Sequence, residues 1–177
     1  MSAEQIASAV NLEEERVETT GMREFLGFVL GGESYALPLS SIREIMRVPK
    51  ITEVPRGPHD VLGIVSVRGQ VITLLDMRRR LHMPEAPLGA RTRVLLVEHG
   101  REILGLLVDK VLQVHRLRED EVEMATVLGS DASSYVMGIG RPERGRSVRE
   151  GVATDGASEE LLILLDPIAL LKQYGGG

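Results

Sequence analysis

The stretch Gly63-Ile64-Val65-Ser66-Val67-Arg68-Gly69-Gln70-Val71-Ile72-Thr73-Leu74-Leu75-Asp76 carries two short apolar runs around a glycine-bearing loop. Runs of this length rich in Val and Ile read as strands, and Gly69 accepts the positive φ of a tight turn, so a hairpin is the simplest reading. Asp76 then N-caps a turn of helix through Arg80, which Pro84 ends. The same pattern returns near the C-terminus. Leu164-Leu165-Asp166 with Leu171 repeats the spacing of Leu74-Leu75-Asp76 with Leu81, and Asp166-Pro167 supplies a cap and a first-turn proline for a helix over 166–174. Two similar small barrels would accommodate that echo.

Working outward, Glu24 to Leu30 and Tyr35 to Leu39 flank Gly31-Gly32-Glu33-Ser34 and predict a hairpin. Ser41 and Glu44 stand in the S-x-x-E relation of a capping box, which predicts a short helix over 42–46. Pro49, Pro55 and Pro58 then allow at most an edge strand between them. After a Pro/Gly linker at 84–89, residues 91–98 and 102–108 form a further expected hairpin, and 110–117 a strand. The acidic group Glu119, Asp120, Glu121 and Glu123 reads as the solvated start of a helical turn. Residues 161–165 are the last expected strand. The expected organisation is a polar tail over 1–21, one lobe over about 24–86, a second over about 88–165, and the C-terminal helix. Within the second lobe, 141–158 is polar and glycine-bearing and reads as an inserted surface loop.

Composition narrows the class. The chain has 177 residues and is 43% hydrophobic but only 3% aromatic, so Val, Leu and Ile fill the core, a leaning toward strands. With no cysteine, there are neither disulfides nor thiolate metal ligands. A net charge of -5 gives no general attraction to phosphate backbones or anionic membranes. The first residues are acidic and lack the basic and apolar regions of a signal peptide, which predicts a cytoplasmic protein with no direct membrane insertion.

No motif of group-transfer chemistry is present. There is no GxxxxGK[ST] loop, Gly138-Ile139-Gly140 does not extend to a dinucleotide fingerprint, and no GxSxG elbow surrounds a serine. His59, His82, His99 and His115 are scattered without metal-ligand spacing. The expectation is therefore no catalytic residue, no cofactor and no metal. Arg78-Arg79-Arg80 raises the alternative of a small RNA-binding barrel, but three arginines closing a short helix are accounted for by its dipole, and only five aromatics are available for stacking.

Taken in order, these segments resemble the CheW family of chemotaxis coupling proteins from Glu24 to Leu171. The resemblance is carried by Glu24-Phe25-Leu26, by Tyr35 with Leu37-Pro38-Leu39 and Ile42-Arg43-Glu44-Ile45, and by Gly63-Ile64-Val65-Ser66-Val67-Arg68-Gly69. It continues in Ile72 to Arg78, Gly105-Leu106-Leu107-Val108-Asp109-Lys110-Val111, Tyr135 with Gly138-Ile139-Gly140, and Leu162 to Asp166. In that pattern an asparagine is common where Ser66 stands, and the 141–158 loop is longer than usual. The resemblance implies an all-β fold of two five-stranded SH3-like barrel lobes with short helices. It implies an adaptor that binds a chemoreceptor hairpin tip and the regulatory domain of the histidine kinase CheA, within a receptor array. The pathway could equally be one that does not drive flagella. The partner-binding positions it implies fall on Ile42, Glu44, Gly63, Arg68, Val108 and Val111.

Overall fold

The computed structural model describes residues 21–125, 134–142 and 160–174. Eleven strands appear among them: β1 (Met22–Leu30), β2 (Glu33–Pro38), β3 (Ile42–Arg47), β4 (Val61–Val67), β5 (Gln70–Asp76), β6 (Arg93–His99), β7 (Glu102–Val108), β8 (Lys110–Arg118), β9 (Val122–Met124), β10 (Val136–Gly140) and β11 (Leu162–Leu165). Two short helices follow β5 and β11: α1 (Met77–Arg80) and α2 (Pro167–Leu171). The strands form two sheets, ordered β3-β6-β7-β5-β4 and β8-β1-β2-β11-β10-β9. The fold is all-β with two SH3-like lobes, as expected, and the second sheet counts six strands because β9 continues the path of β8 after a 3-10 turn at Glu119–Glu121.

Two expectations are corrected. Residues 42–46 form strand β3 and no helix, and Ser41 makes no capping box. Its hydroxyl donates instead to the Pro38 carbonyl at 2.7 Å, closing a 3-10 turn at Leu39–Ser41. The strand prevails because its ladder with β6, from Ile42↔Val97 to Arg47↔Arg93, satisfies the backbone of a free sheet edge and packs alternate side chains. The capping spacing alone carries too little free energy to compete.

The lobes, secondly, do not follow the contiguous division at residues 86–88. Each half of the chain builds a hairpin (β1–β2, β6–β7), a crossing strand (β3, β8) and a closing pair (β4–β5, β10–β11) ending in a capped helix. Each hairpin, however, joins the other half's strands: β3 pairs with β6, and β5 runs parallel to β7, while β8 pairs with β1, and β11 runs parallel to β2. The halves are exchanged. The two-strand hairpins are marginal alone and gain sheet partners only by this exchange.

Matching details confirm the equivalence of the halves. The register shifts at Val61/Gly63 against Leu75/Leu74, and likewise at Val136/Gly138 against Leu165/Leu164. The Asp76 N–H donates to the Asp60 carbonyl and the Asp166 N–H to that of Tyr135, both at 2.8 Å. Asp76 caps α1 through the amides of Arg78 and Arg79, and Asp166 caps α2 through that of Ile168.

The apolar residues divide into three clusters. Val65, Val67, Ile72, Leu74, Val94, Leu96 and Leu107 form the interior of the five-stranded lobe. Phe25, Ala36, Leu117, Leu162 and Leu164 form that of the six-stranded lobe. A third and larger cluster, including Phe28, Leu37, Met77, Leu95, Leu106, Leu165 and Leu170, draws on both sheets and joins the lobes. The lobes therefore share a core, so each is held against the other by the same force that fills its interior.

Candidate functional site

β3 and β8 are the strands that cross between lobes, and each presents one face toward the shared core. Ile42 and Ile45 lie opposite Val97 and Leu95, and Val111 and Val114 lie opposite Phe28 and Leu26. All four opposed residues belong to the shared cluster, and directly paired side chains project to one face of a sheet. A register shift in each strand, between Ile42 and Glu44 and between positions 111 and 114, turns the usual period of two into a spacing of three. Ile42 and Val111 pack against the cluster, whereas Ile45 and Val114 are both 43% exposed. The two halves thus place the same apolar pair at equivalent edges.

Glu44 and Arg68 close the open side of the five-stranded lobe. β3 and β4 are the two ends of its strand order, and the β4–β5 turn carries Arg68 at φ 49° and Gly69 at φ 78°. Positive φ at both central residues is the signature of a type I′ hairpin turn, whose twist matches the strands it joins. Thus placed, the Arg68 guanidinium donates to both Glu44 carboxylate oxygens at 2.7 and 2.6 Å. The hydrogen bond from Arg68 holds the Glu44 carboxyl below its ordinary range, and the same bond raises Arg68. Arg68 is exposed, so this fork presents paired charges to solvent.

The remaining expected positions divide by burial. Gly63 is backbone architecture: Ile64 beside it exchanges two hydrogen bonds with Thr52, at 2.8 and 2.9 Å, and closes the lobe along the proline-punctuated segment. Val108 is 1% exposed inside the shared core and presents no surface to a partner, which removes it from the contact set. Its period-two neighbours in β7 face the same core, a pattern indistinguishable in sequence from a contact strip.

The arginine triplet is the feature that sequence reading missed. Arg78 donates to Asp109 at 2.6 and 2.8 Å, and the Gly31 N–H reaches the same carboxylate at 2.9 Å. This ties α1 to the β7–β8 crossing and the β1–β2 turn. Arg79 pairs with Glu85 at 2.9 Å. Arg80 donates to the Leu170 carbonyl at 2.8 and 3.0 Å and lies 3.4 Å from Asp60. With its three members so engaged, the triplet no longer offers the free basic strip that motivated the RNA reading. The acidic group is also only partly solvated, since Glu121 is buried and accepts the Arg118 N–H at 2.7 Å.

The CheW-like domain family matches residues 24–174. The chemotaxis protein CheW of Helicobacter pylori is 31% identical over 135 residues, covering 76% of this chain and 80% of that one. The chain belongs to the CheW family. FrzA of Myxococcus xanthus is 29% identical over 117 residues, covering 66% of this chain and 73% of its own. The fold of the scaffolding protein TtCheW from Thermoanaerobacter tengcongensis superposes with a TM-score of 0.69 at 23% identity, over 85% of this chain and 92% of that one. This CheW-like chain is accordingly a chemosensory coupling adaptor. Among the described residues no helix is long and apolar enough to cross a membrane, and no group of acids and histidines is placed to hold a metal ion. The inserted segment expected over 141–158 and the tail expected over 1–21 fall almost wholly outside the described residues, Gly21, Arg141 and Pro142 excepted.

Proposed function

We propose that this CheW-like adaptor binds a receptor's helical hairpin tip on the apolar strip of Ile42, Ile45, Val111 and Val114, and the kinase CheA's regulatory domain around the Glu44–Arg68 fork. The observation that carries this reading is the pair of half-exposed residues, Ile45 and Val114, on the two crossing strands. Each lies three residues along its strand from a partly buried residue that packs on the shared core, and each is equally exposed, so the two halves offer equivalent apolar positions to a partner. A helix packing on such a strip buries apolar area, which favours association in proportion to the area removed from water. The charged fork sets partner register and on-rate more than affinity. Binding both partners at once requires no bond to be made or broken, and it controls the kinase only if the complex prefers one kinase state over the other. A non-flagellar output fits the same surfaces as readily as a flagellar one.

The test is co-sedimentation of the purified chain with receptor-bearing membranes, with and without the kinase. Recovery in the pellet that rises with receptor, and kinase recovery that requires this chain, supports the reading. Kinase recovery independent of the chain would overturn it.

A further inference from the structure

We infer that Arg80 is a positioning residue for coupling: it fixes the angle between the two lobes and, with it, the relative placement of the surfaces offered to receptor and kinase. This rests on the adaptor reading above and adds the element that makes two binding events report on one another. Arg80 projects from α1, which follows the five-stranded lobe. Its fork ends on the Leu170 carbonyl of α2, which follows the six-stranded lobe, through Nε at 3.0 Å and Nη2 at 2.8 Å. The guanidinium lies over the rings of Tyr135 at 4.6 Å and Tyr174 at 5.9 Å, and Nη1 is 3.4 Å from Asp60. Gln173 closes the ring of contacts by donating to Asp60 at 3.2 Å and to the Tyr174 hydroxyl at 2.7 Å.

The exchange of halves explains why this position matters. Counted from the capping aspartates, Arg80 of α1 is the counterpart of Leu170 of α2, and Asp60 is the counterpart of Tyr135. Arg80 therefore bonds to its own equivalent and stacks on the equivalent of its ion-pair partner. It sits where the two halves meet. The shared apolar core beside it resists separation of the lobes through a non-directional force, and the guanidinium adds a directional contact to it. A planar guanidinium held by two hydrogen bonds and two rings has one orientation. The Arg80 and Asp60 side chains are each only 11% exposed, where an ion pair contributes little more stability than apolar residues of equal volume and is better suited to fixing geometry.

The sequence contains no cysteine, so Val71→Cys on the five-stranded lobe and Met124→Cys on the six-stranded lobe accept one spin label each. Pulsed dipolar spectroscopy then reads the lobe-to-lobe distance in the full chain without partners. Arg80→Leu and Arg80→Lys are expected to broaden that distribution. In reconstituted receptor and kinase complexes, both Arg80 variants are expected to keep binary affinities within about twofold and to lose receptor control of the kinase by about tenfold, the scale of ordinary coupling. Should Arg80→Leu fail to fold, Arg80→Lys, which keeps stem and charge, carries the test. An unchanged distance distribution, or a broadened one with kinase control intact, overturns the inference. Failure of the parent chain itself to bind receptor and kinase sinks the adaptor reading instead, and the spectroscopy tells the two apart.

Discussion

Gly63 lies so close to Thr52 that no side chain fits between them. A Cβ there would run into the Thr52 carbonyl oxygen and come within 2.8 Å of the Ile51 methyl. In the other half, a Cβ on Gly138 would lie 2.5 Å from the Glu123 carbonyl oxygen. Both glycines sit at the register shift that begins a closing strand, and both let a sixth segment reach the sheet. Gly63→Ala is therefore expected to destabilise the fold by about 1–3 kcal/mol, the usual cost of overpacking, and to weaken partner binding only in proportion to the unfolded fraction. Chemical denaturation followed by circular dichroism checks the first part. Normal stability with lost binding would return Gly63 to the contact surface.

Arg68 tests the charged fork. Because the guanidinium and its Glu44 partner are solvent-facing, Arg68→Glu is expected to leave the melting temperature close to that of the parent while weakening kinase recruitment. The charge exchange Arg68→Glu with Glu44→Arg separates two roles. Recruitment restored by the exchange means that the fork matters as an intact pair, and recruitment still lost means that the partner reads the sign of each charge.

Strands, turns and caps were largely legible because each is a local matter. Val71 to Leu75 could hardly be anything but a strand, and Asp76 and Asp166 both cap as their spacing required. What was not legible is long-range. Ser41 and Glu44 satisfy a helix-start pattern, and only the vacant edge of β6 decides for a strand. The repeated Leu-Leu-Asp spacing revealed two halves, but nothing within either half shows that its hairpin completes the other lobe. Arg80 looked like a solvated helix end because its acceptors, Leu170 and Asp60, are respectively 90 positions away in sequence and across a turn of the chain. Ile45 and Val114 escaped notice because the register shifts that bring them to the faces of Ile42 and Val111 break the period of two on which strand reading depends.

The apolar strip can be separated from the core beneath it by substitution. Ile45→Asp and Val114→Asp place a charge on half-exposed positions, so folding is expected to survive and receptor binding to fall at least about tenfold for each, the scale of a buried apolar anchor. Val108→Ala removes two methyl groups from the core, with an expected loss of about 1–3 kcal/mol in stability and no separate effect on binding. Equilibrium binding measured by calorimetry, paired with thermal melts, distinguishes the two patterns. A Val114→Asp protein that still binds the receptor fragment as tightly as the parent would move the site away from β8.

Acid sensitivity gives the last prediction, since two groups respond in different windows. His115 on β8 faces the interior of the six-stranded lobe opposite Phe25, its Nε2 is buried without a hydrogen-bond partner, and Gly27 leaves it room. Burial lowers its pKa below the ordinary 6.5, and the Glu160 carboxylate opposes that shift more weakly. Between the folded value and 6.5 the unfolded chain binds the extra proton, so stability is full above that range and falls as the pH drops through it. Asp109 acts in a lower window. Its hydrogen bond from Arg78, aided by that from Gly31, holds its pKa below the ordinary 3.8, so its contribution is complete above 3.8 and is lost as the pH falls through the lowered value. The chain contains no tryptophan, so denaturant midpoints are best read by circular dichroism, at a series of pH values from 7 downward. The parent protein is expected to begin losing stability just below 6.5, His115→Leu to hold its midpoint until the carboxylate window, and Asp109→Asn to keep the histidine-linked loss from a lower starting stability. A His115→Leu protein that tracks the parent over the histidine window would show that the imidazole is not the group that admits the proton.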